Sequence, residues 1–248
     1  MEKVLLNIEN EQAWLILNRP EKRNAIDYEV IELLNQKLDI IQSRQDVKIV
    51  IITGAGETAF CSGGDLSVFH LIHTKKEAKE MLLKMAKVLE RVFFLPIPTV
   101  AYLNGTAVGG GCEIATACDF RIAKRNIMLG FIQGKLGITT GWGGATYLLE
   151  RMSQQEAFQL LMSADRFDAI EGLKKGFIQS IQDREGFLEW LATFTRQPLG
   201  VLLAYKQRVL AQHDRMVLNK RVLEEIEDCS TLWETPLHHE AVQRFIDK

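Results

Sequence analysis

GGGCEIATACD, residues 109–119, puts an ionisable side chain, Glu113, into the first turn of an apolar helix that opens on three consecutive glycines. Each glycine in a helix costs about 0.5–1 kcal/mol of backbone entropy relative to alanine. In return the first-turn N–H groups, which have no intrahelical partner, lie bare of side chains and form an anion site. Glu113 itself has two readings. A carboxylate in a first turn is favoured by the helix dipole and can be a simple cap. The small apolar run IATAC behind it instead makes the carboxylate project from a packed helix, where burial raises its pKa into the range useful for proton transfer.

Working outward, the strand-like runs VLLNI (4–8), AWLILN (13–18), KIVIIT (48–53) and PTVAYLN (98–104) alternate with helical patterns. One helix is carried by Val30, Ile31, Leu34, Leu38 and Ile41, and a long one runs from about Lys75 to Phe94. Short strands are expected around DFRIA and IMLGF, on either side of residue 125. From about Gly143 the pattern turns helical, with a capping box at SQQE (153–156) and Thr-Pro opening a helix at TPLHHE (235–240). A strand-rich core followed by a helical tail is α/β grammar.

Composition narrows the function classes. The 248 residues suffice for one large domain, and 47% hydrophobic with 25% charged residues describes an ordinary folded chain. A net charge of −2 gives no long-range attraction for nucleic acid or anionic membrane, so a polyanionic ligand would need a local basic cluster. Cys61, Cys112, Cys118 and Cys229 have no CxxC spacing, which suits reduced thiols in a cytoplasm. No run approaches the roughly 20 apolar residues of a membrane span, and the acidic MEKVLLNIENEQAW does not read as a signal peptide.

TGAGETA (53–59) is a GxGxxA after a strand, but AFCSGGDL behind it is broken by glycines where a dinucleotide fold needs a helix. GFIQGKL lacks the spacing and hydroxyl of a phosphate loop. His70 and His73 form HxxH without a third ligand, so no metal site is expected. SGGDL (62–66) taken alone is turn chemistry.

LNRPEKRNAI (17–26), VIITGAGETAFCSGGDL (50–66), YLNGTAVGGGCEIATACDF (102–120) and LGITTGWGG (136–144) together resemble the crotonase (enoyl-CoA hydratase/isomerase) superfamily in order and spacing, from about residue 4 onward. The resemblance implies a spiral of ββα repeats over residues 1–190 carrying an acyl-CoA site. It implies a helical C-terminal trimerisation region over 191–248, and a homotrimer or a hexamer made of two trimers. It places the backbone N–H groups of Gly64 and Gly110 on the thioester oxygen as it becomes an enolate. Lys22, Arg23 and Ala25, with Arg19, and then Ser62, Asp65 and Leu66 fall on the coenzyme A segments, with Lys248 as a further phosphate contact. Phe69 and Trp142, with Val68 and Ile72, are candidates for the acyl pocket. Coenzyme A is then part of the substrate and no separate cofactor is implied.

Hydratases of this family use two glutamates. Glu113 matches the first, but Gln133 stands where the second is expected, and an amide is neither acid nor base at neutral pH. Among relatives with one carboxylate, decarboxylases of methylmalonyl- and ethylmalonyl-type CoA esters are similar, since loss of CO2 yields the enolate without a base. The leading expectation is therefore malonyl-type decarboxylation, with Gln133 orienting the reacting group. Hydration or isomerisation is the nearest alternative, and a non-catalytic acyl-CoA-binding protein is the alternative of another class.

Overall fold

The computed structural model describes residues 2–246, with side chains up to 244. Ten strands occur among the described residues: β1 Val4–Glu9, β2 Gln12–Leu17, β3 Ile49–Gly54, β4 Ala59–Cys61, β5 Thr99–Leu103, β6 Thr106–Val108, β7 Phe120–Ala123, β8 Met128–Gly130, β9 Phe167–Asp168 and β10 Ser180–Ile181. The first seven helices are α1 Tyr28–Ser43, α2 Leu66–Phe69, α3 Lys75–Phe93, α4 Gly110–Ala117, α5 Gly144–Arg151, α6 Gln154–Ser163 and α7 Ala169–Lys174. After β10 the described chain is helical: α8 Arg184–Thr195, α9 Leu199–Leu210, α10 Arg215–Trp233 and α11 Pro236–Ile246.

Successive strands are dealt to two sheets. One has the order β1-β2-β3-β5-β7-β10 and the other β4-β6-β8-β9. The consecutive pairs β3 and β4, β5 and β6, and β7 and β8 each give one strand to each sheet, so the chain winds as a spiral. Among the described residues only β1 with β2 and β8 with β9 are antiparallel. The β1–β2 hairpin closes on Asn10 and Glu11, both at positive φ, as a two-residue turn matching strand twist requires.

The core lies between the large sheet and its helices. Val30, Ile31, Leu34, Leu38 and Ile41 of α1 are all buried, as their spacing predicts. α3 starts on a reciprocal capping box between Thr74 and Glu77 and packs along α10. Phe187 and Leu191 of α8 cover the other face of the sheet against Trp14, Ile51, Tyr102 and Ile122. Burial of each large apolar side chain is worth roughly 1.5–3 kcal/mol.

Two details differ from expectation. β9 and β10 interrupt the stretch read as helical after Gly143, and at two residues each they are too short to carry a period. SQQE caps on one side only, Ser153 accepting from the Glu156 N–H. After TGAGETA, as the glycines behind it imply, the chain enters β4 with no helix opening. Among the described residues no helix is long and apolar enough to cross a membrane, and no group of three or more His, Cys, Asp or Glu could hold a metal ion.

Candidate active site

The spiral brings two glycine turns together. Gly109, at φ 55°, starts α4, and its N–H donates to the Gly130 carbonyl at 2.8 Å, which ties the start of α4 to β8. The SGGDL turn is strapped to Ile26, whose N–H donates to Gly63 O while its own carbonyl accepts from Asp65 N–H. A β-carbon on Gly63 would lie 3.0 Å from Gly110 N, and one on Gly111 only 2.1 Å from the Cys61 carbonyl. The turns therefore touch through bare backbone.

Among the described residues the N–H groups of Gly64 and Gly110 meet no hydrogen-bond acceptor. Both glycines line a cavity of about 680 Å³. The Trp142 ring closes over Gly110, where a β-carbon would come within 2.0 Å of it, and Phe69 packs against Gly64. Two free donors beneath aromatic walls can stabilise an oxygen on which negative charge develops.

Glu113 projects from the first turn of α4 into the same cavity and is 3% exposed. Its Oε2 accepts from the N–H groups of Trp142 (2.8 Å) and Gly144 (3.0 Å), and its Oε1 from Gln133 Nε2 (2.8 Å). The glycine-rich LGITTGWGG wraps the carboxylate so closely that a β-carbon on Gly144 would lie 2.3 Å from Glu113 Cγ. Burial, and then the negative Glu225, push the Glu113 carboxyl up to about 8, against the opposing pull of the N–H donors. Glu225 reaches in from α10 and accepts from Thr146 N–H and Oγ1 at the start of α5.

Of the residues named from the sequence, Glu113, Gln133, Gly64, Gly110, Arg23, Ser62, Leu66, Phe69 and Trp142 line the cavity. Four do not. Lys22 is exposed beside it, and Ala25 is buried with its carbonyl accepting from Arg19. Asp65 caps α2 and pairs with Arg19 at 2.9 Å. Arg19 also meets Asp27, so this guanidinium clamps the two loops rather than offering charge to a ligand. Val68 packs on the core, and Ile72 lines a separate cavity of about 150 Å³ with His70, His73, His238 and His239. Lys248 lies outside the described residues.

The cavity also takes Lys135, Arg166 and Arg244, which the sequence reading missed. Lys135 stood inside the quoted GFIQGKL and was legible there. Arg166, Arg244 and Glu225 left no local signal, because only the packing of distant segments brings them close.

The sequence model described as enoyl-CoA hydratase/isomerase matches residues 7–248. An ethylmalonyl-CoA decarboxylase of Gallus gallus is 33% identical, over 96% of this chain and 83% of that protein. A short-chain-enoyl-CoA hydratase of Clostridium acetobutylicum is 35% identical, over 73% of this chain and 69% of its own length. The crystal structure of an enoyl-CoA hydratase from Bacillus halodurans superposes with a TM-score of 0.88 at 23% identity, covering 98% of this chain and 99% of the other, and so shares the spiral fold. The four quoted blocks, the spiral and the sequence match converge: this chain belongs to the enoyl-CoA hydratase/isomerase family.

Proposed function

We propose that this protein decarboxylates a malonyl-type acyl-CoA, of the ethylmalonyl or methylmalonyl kind, through a thioester enolate. The observation that carries the reading is that Glu113 is the one carboxylate among the described residues lining the cavity, with an amide, Gln133, beside it. Hydration by a pair of carboxylates needs a second acid or base there. Decarboxylation does not. The bond from Cα to the substrate carboxylate breaks and CO2 leaves. Its electron pair moves into the thioester, and the resulting enolate oxygen rests on the N–H groups of Gly64 and Gly110. Protonated Glu113 then delivers a proton to Cα and is reprotonated from solvent. The relatedness to ethylmalonyl-CoA decarboxylases supports this choice.

Arg23, Lys135, Arg166 and Arg244 supply the local positive charge that coenzyme A phosphates call for, in a chain whose net charge is −2. Coenzyme A enters as part of the substrate, and no separate cofactor has a role in the scheme. The winding core carries the reacting groups, while residues from 191 onward cover the cavity through Cys229, Trp233, Ala241 and Arg244. Exposed Phe158, Met162, Tyr205 and Met216 on α6, α9 and α10 suit a homotrimer or a hexamer of two trimers. Four buried, unpaired thiols suit the cytoplasm.

Mass spectrometry of the CoA esters after incubation with ethylmalonyl-CoA, methylmalonyl-CoA and crotonyl-CoA tests the reading. The expected result is loss of CO2 from a malonyl ester, falling about 10²–10⁴-fold in Glu113→Gln. Unchanged turnover in that variant would overturn the assignment. Gain of water on crotonyl-CoA without CO2 loss would establish the second reading, which the relatedness to a short-chain-enoyl-CoA hydratase favours. Thioester binding with no turnover would make the protein a binder.

A further inference from the structure

The Glu113–Gln133 pair is bonded in one of two ways its atoms allow. Gln133 Nε2 donates to Glu113 Oε1, while Glu113 Oε2 accepts the N–H groups of Trp142 and Gly144. Gln133 Oε1 is buried without a partner. Buried side-chain oxygens are rarely left so. This bonding suits an ionised Glu113, which only accepts.

A protonated Glu113 imposes a different arrangement. Its Oε2 already faces two donors, so the proton sits on Oε1, opposite an NH2 group that cannot accept it. Half a turn about the terminal torsion of Gln133 removes the conflict, and that torsion is two-fold and broad. Gln133 Oε1 then accepts the Glu113 proton. The NH2 group takes the place of the orphaned oxygen, on a side chain that lines the cavity. The pair thus presents an acceptor when Glu113 is ionised and a donor when it is protonated.

We propose that Gln133 receives the substrate's carboxylate, and that protonated Glu113 turns the Gln133 amide so that an N–H faces it. The identity of the ligand rests on the malonyl-type reading above; the coupling of proton and amide does not. A carboxylate only accepts hydrogen bonds, so it binds the donor state and is repelled by the acceptor state. Binding therefore takes up a proton as pH passes the Glu113 value. Gln133 acts as a positioning residue and Glu113 as the proton source.

On α10, the charge of Glu225 faces Glu113 while its carboxylate accepts from Thr146 at the start of α5, and burial pushes the Cys229 thiol up. On α4 burial pushes the Cys112 thiol up to about 12. α3 brings only apolar Met81 and Leu82 to the cavity, and the segment before α5 brings main-chain N–H groups. Burial, with Glu225, pushes Glu113 to about 8, so the donor state dominates at neutral pH. Arg23, Lys135, Arg166 and Arg244 stand on the cavity wall.

The test uses S-(2-carboxybutyl)-CoA, a thioether that keeps the carboxylate but has no carbonyl to accept the electrons of decarboxylation. S-butyl-CoA serves as the control and carries any titration of the CoA phosphates. Calorimetry from pH 6.5 to 9.5, in two buffers of different ionisation enthalpy, measures affinity and proton uptake together. Wild type should take up a proton with the carboxylate ligand alone, and its affinity should fall toward about tenfold per pH unit above the Glu113 value. In Glu113→Gln the new amide N–H holds the Gln133 oxygen in the turned position at every pH, so affinity should be flat and proton uptake absent. Gln133→Leu should bind the carboxylate ligand no more tightly than S-butyl-CoA.

Wild-type binding without proton uptake, or with the same profile for both ligands, would overturn the proposal, and neither measurement depends on a variant folding. CO2 release is scored separately. Decarboxylation with a flat binding profile sinks the amide turn and leaves the reaction standing. Proton-linked binding without CO2 loss supports the carboxylate receptor and sinks the reaction.

Discussion

Glu113 and Asp119 stand six residues apart in the same stretch, GGGCEIATACD, one in the first turn of α4 and the other just beyond its last. Both are shielded from water, and their partners are opposites. Glu113 is held by two backbone N–H groups and an amide, with another carboxylate, Glu225, as its charged neighbour. Asp119 accepts from Lys206 Nζ at 2.5 and 2.6 Å, from Arg151 at 3.2 Å, and from Thr99 through N–H and Oγ1. Burial pulls the Lys206 pKa down while Asp119 pushes it back up. A buried carboxylate ringed by dipoles holds a proton that it can give away. One ringed by cations is an anchor. Here charge partners, and not burial, separate chemistry from architecture.

The largest expected effect breaks the anchor. Asp119→Asn strands Lys206 and the nearby Arg151 in the interior, and loss of one member of a buried ion pair costs about 3–5 kcal/mol. Urea unfolding should show that loss as a lower midpoint, while turnover per folded molecule stays at the wild-type level. A stability near wild type would mean that the two cations find other partners and that Asp119 is no more an anchor than a surface carboxylate. A loss of turnover in folded Asp119→Asn would erase the division of labour between the two acids.

Next comes the wall beside Glu113. Gly110→Ala drives a β-carbon to within 2.0 Å of the ring of Trp142, the residue whose own N–H donates to Glu113. Ring and Gly110 N–H must shift, and losing one oxyanion donor costs about 10²–10³ in rate. kcat should drop by that factor with a smaller change in the affinity for S-butyl-CoA. A variant with full kcat would remove Gly110 from the reacting centre and leave Glu113 without the enolate that it is proposed to protonate.

How far the sequence carried depended on how local each cause is. The α1 stripe and the TGAGETA turn depend on neighbours along the chain, and the stripe from Val30 to Ile41 and the turn at 53–59 read correctly. The two glycine turns were legible because glycine at a crowded backbone contact is a steric demand written into one position. Arg19 misled, because a cation in RPEKR looks the same whether it faces phosphate or its own Asp27 and Asp65. Glu225, far along the chain on α10, sets the charge environment of Glu113 through a contact that no local pattern encodes. Glu113 and Asp119 were likewise indistinguishable as carboxylates until Lys206 and Arg151 were in view.

The smallest effect sharpens the comparison most. The Glu113 carboxyl is raised from its ordinary 4.5 to about 8 in the folded protein, so folding opposes its ionisation. Its neutral form therefore adds full stability below the unfolded value, and that stability drains away as pH rises through the folded one. Glu113→Gln has no proton to lose. The unfolding free energy of wild type minus that of the variant should fall between about pH 5 and pH 8, by roughly 1.4 kcal/mol per pH unit at most, and level off above. The variant should then be more stable at alkaline pH than its acid-range difference predicts, although it is expected to be the less active protein. Taking the difference removes the pH dependence that both proteins share. A difference that stays constant with pH would mean that the N–H donors of Trp142 and Gly144 outweigh burial and Glu225. Glu113 would then serve as an anchor, as Asp119 does.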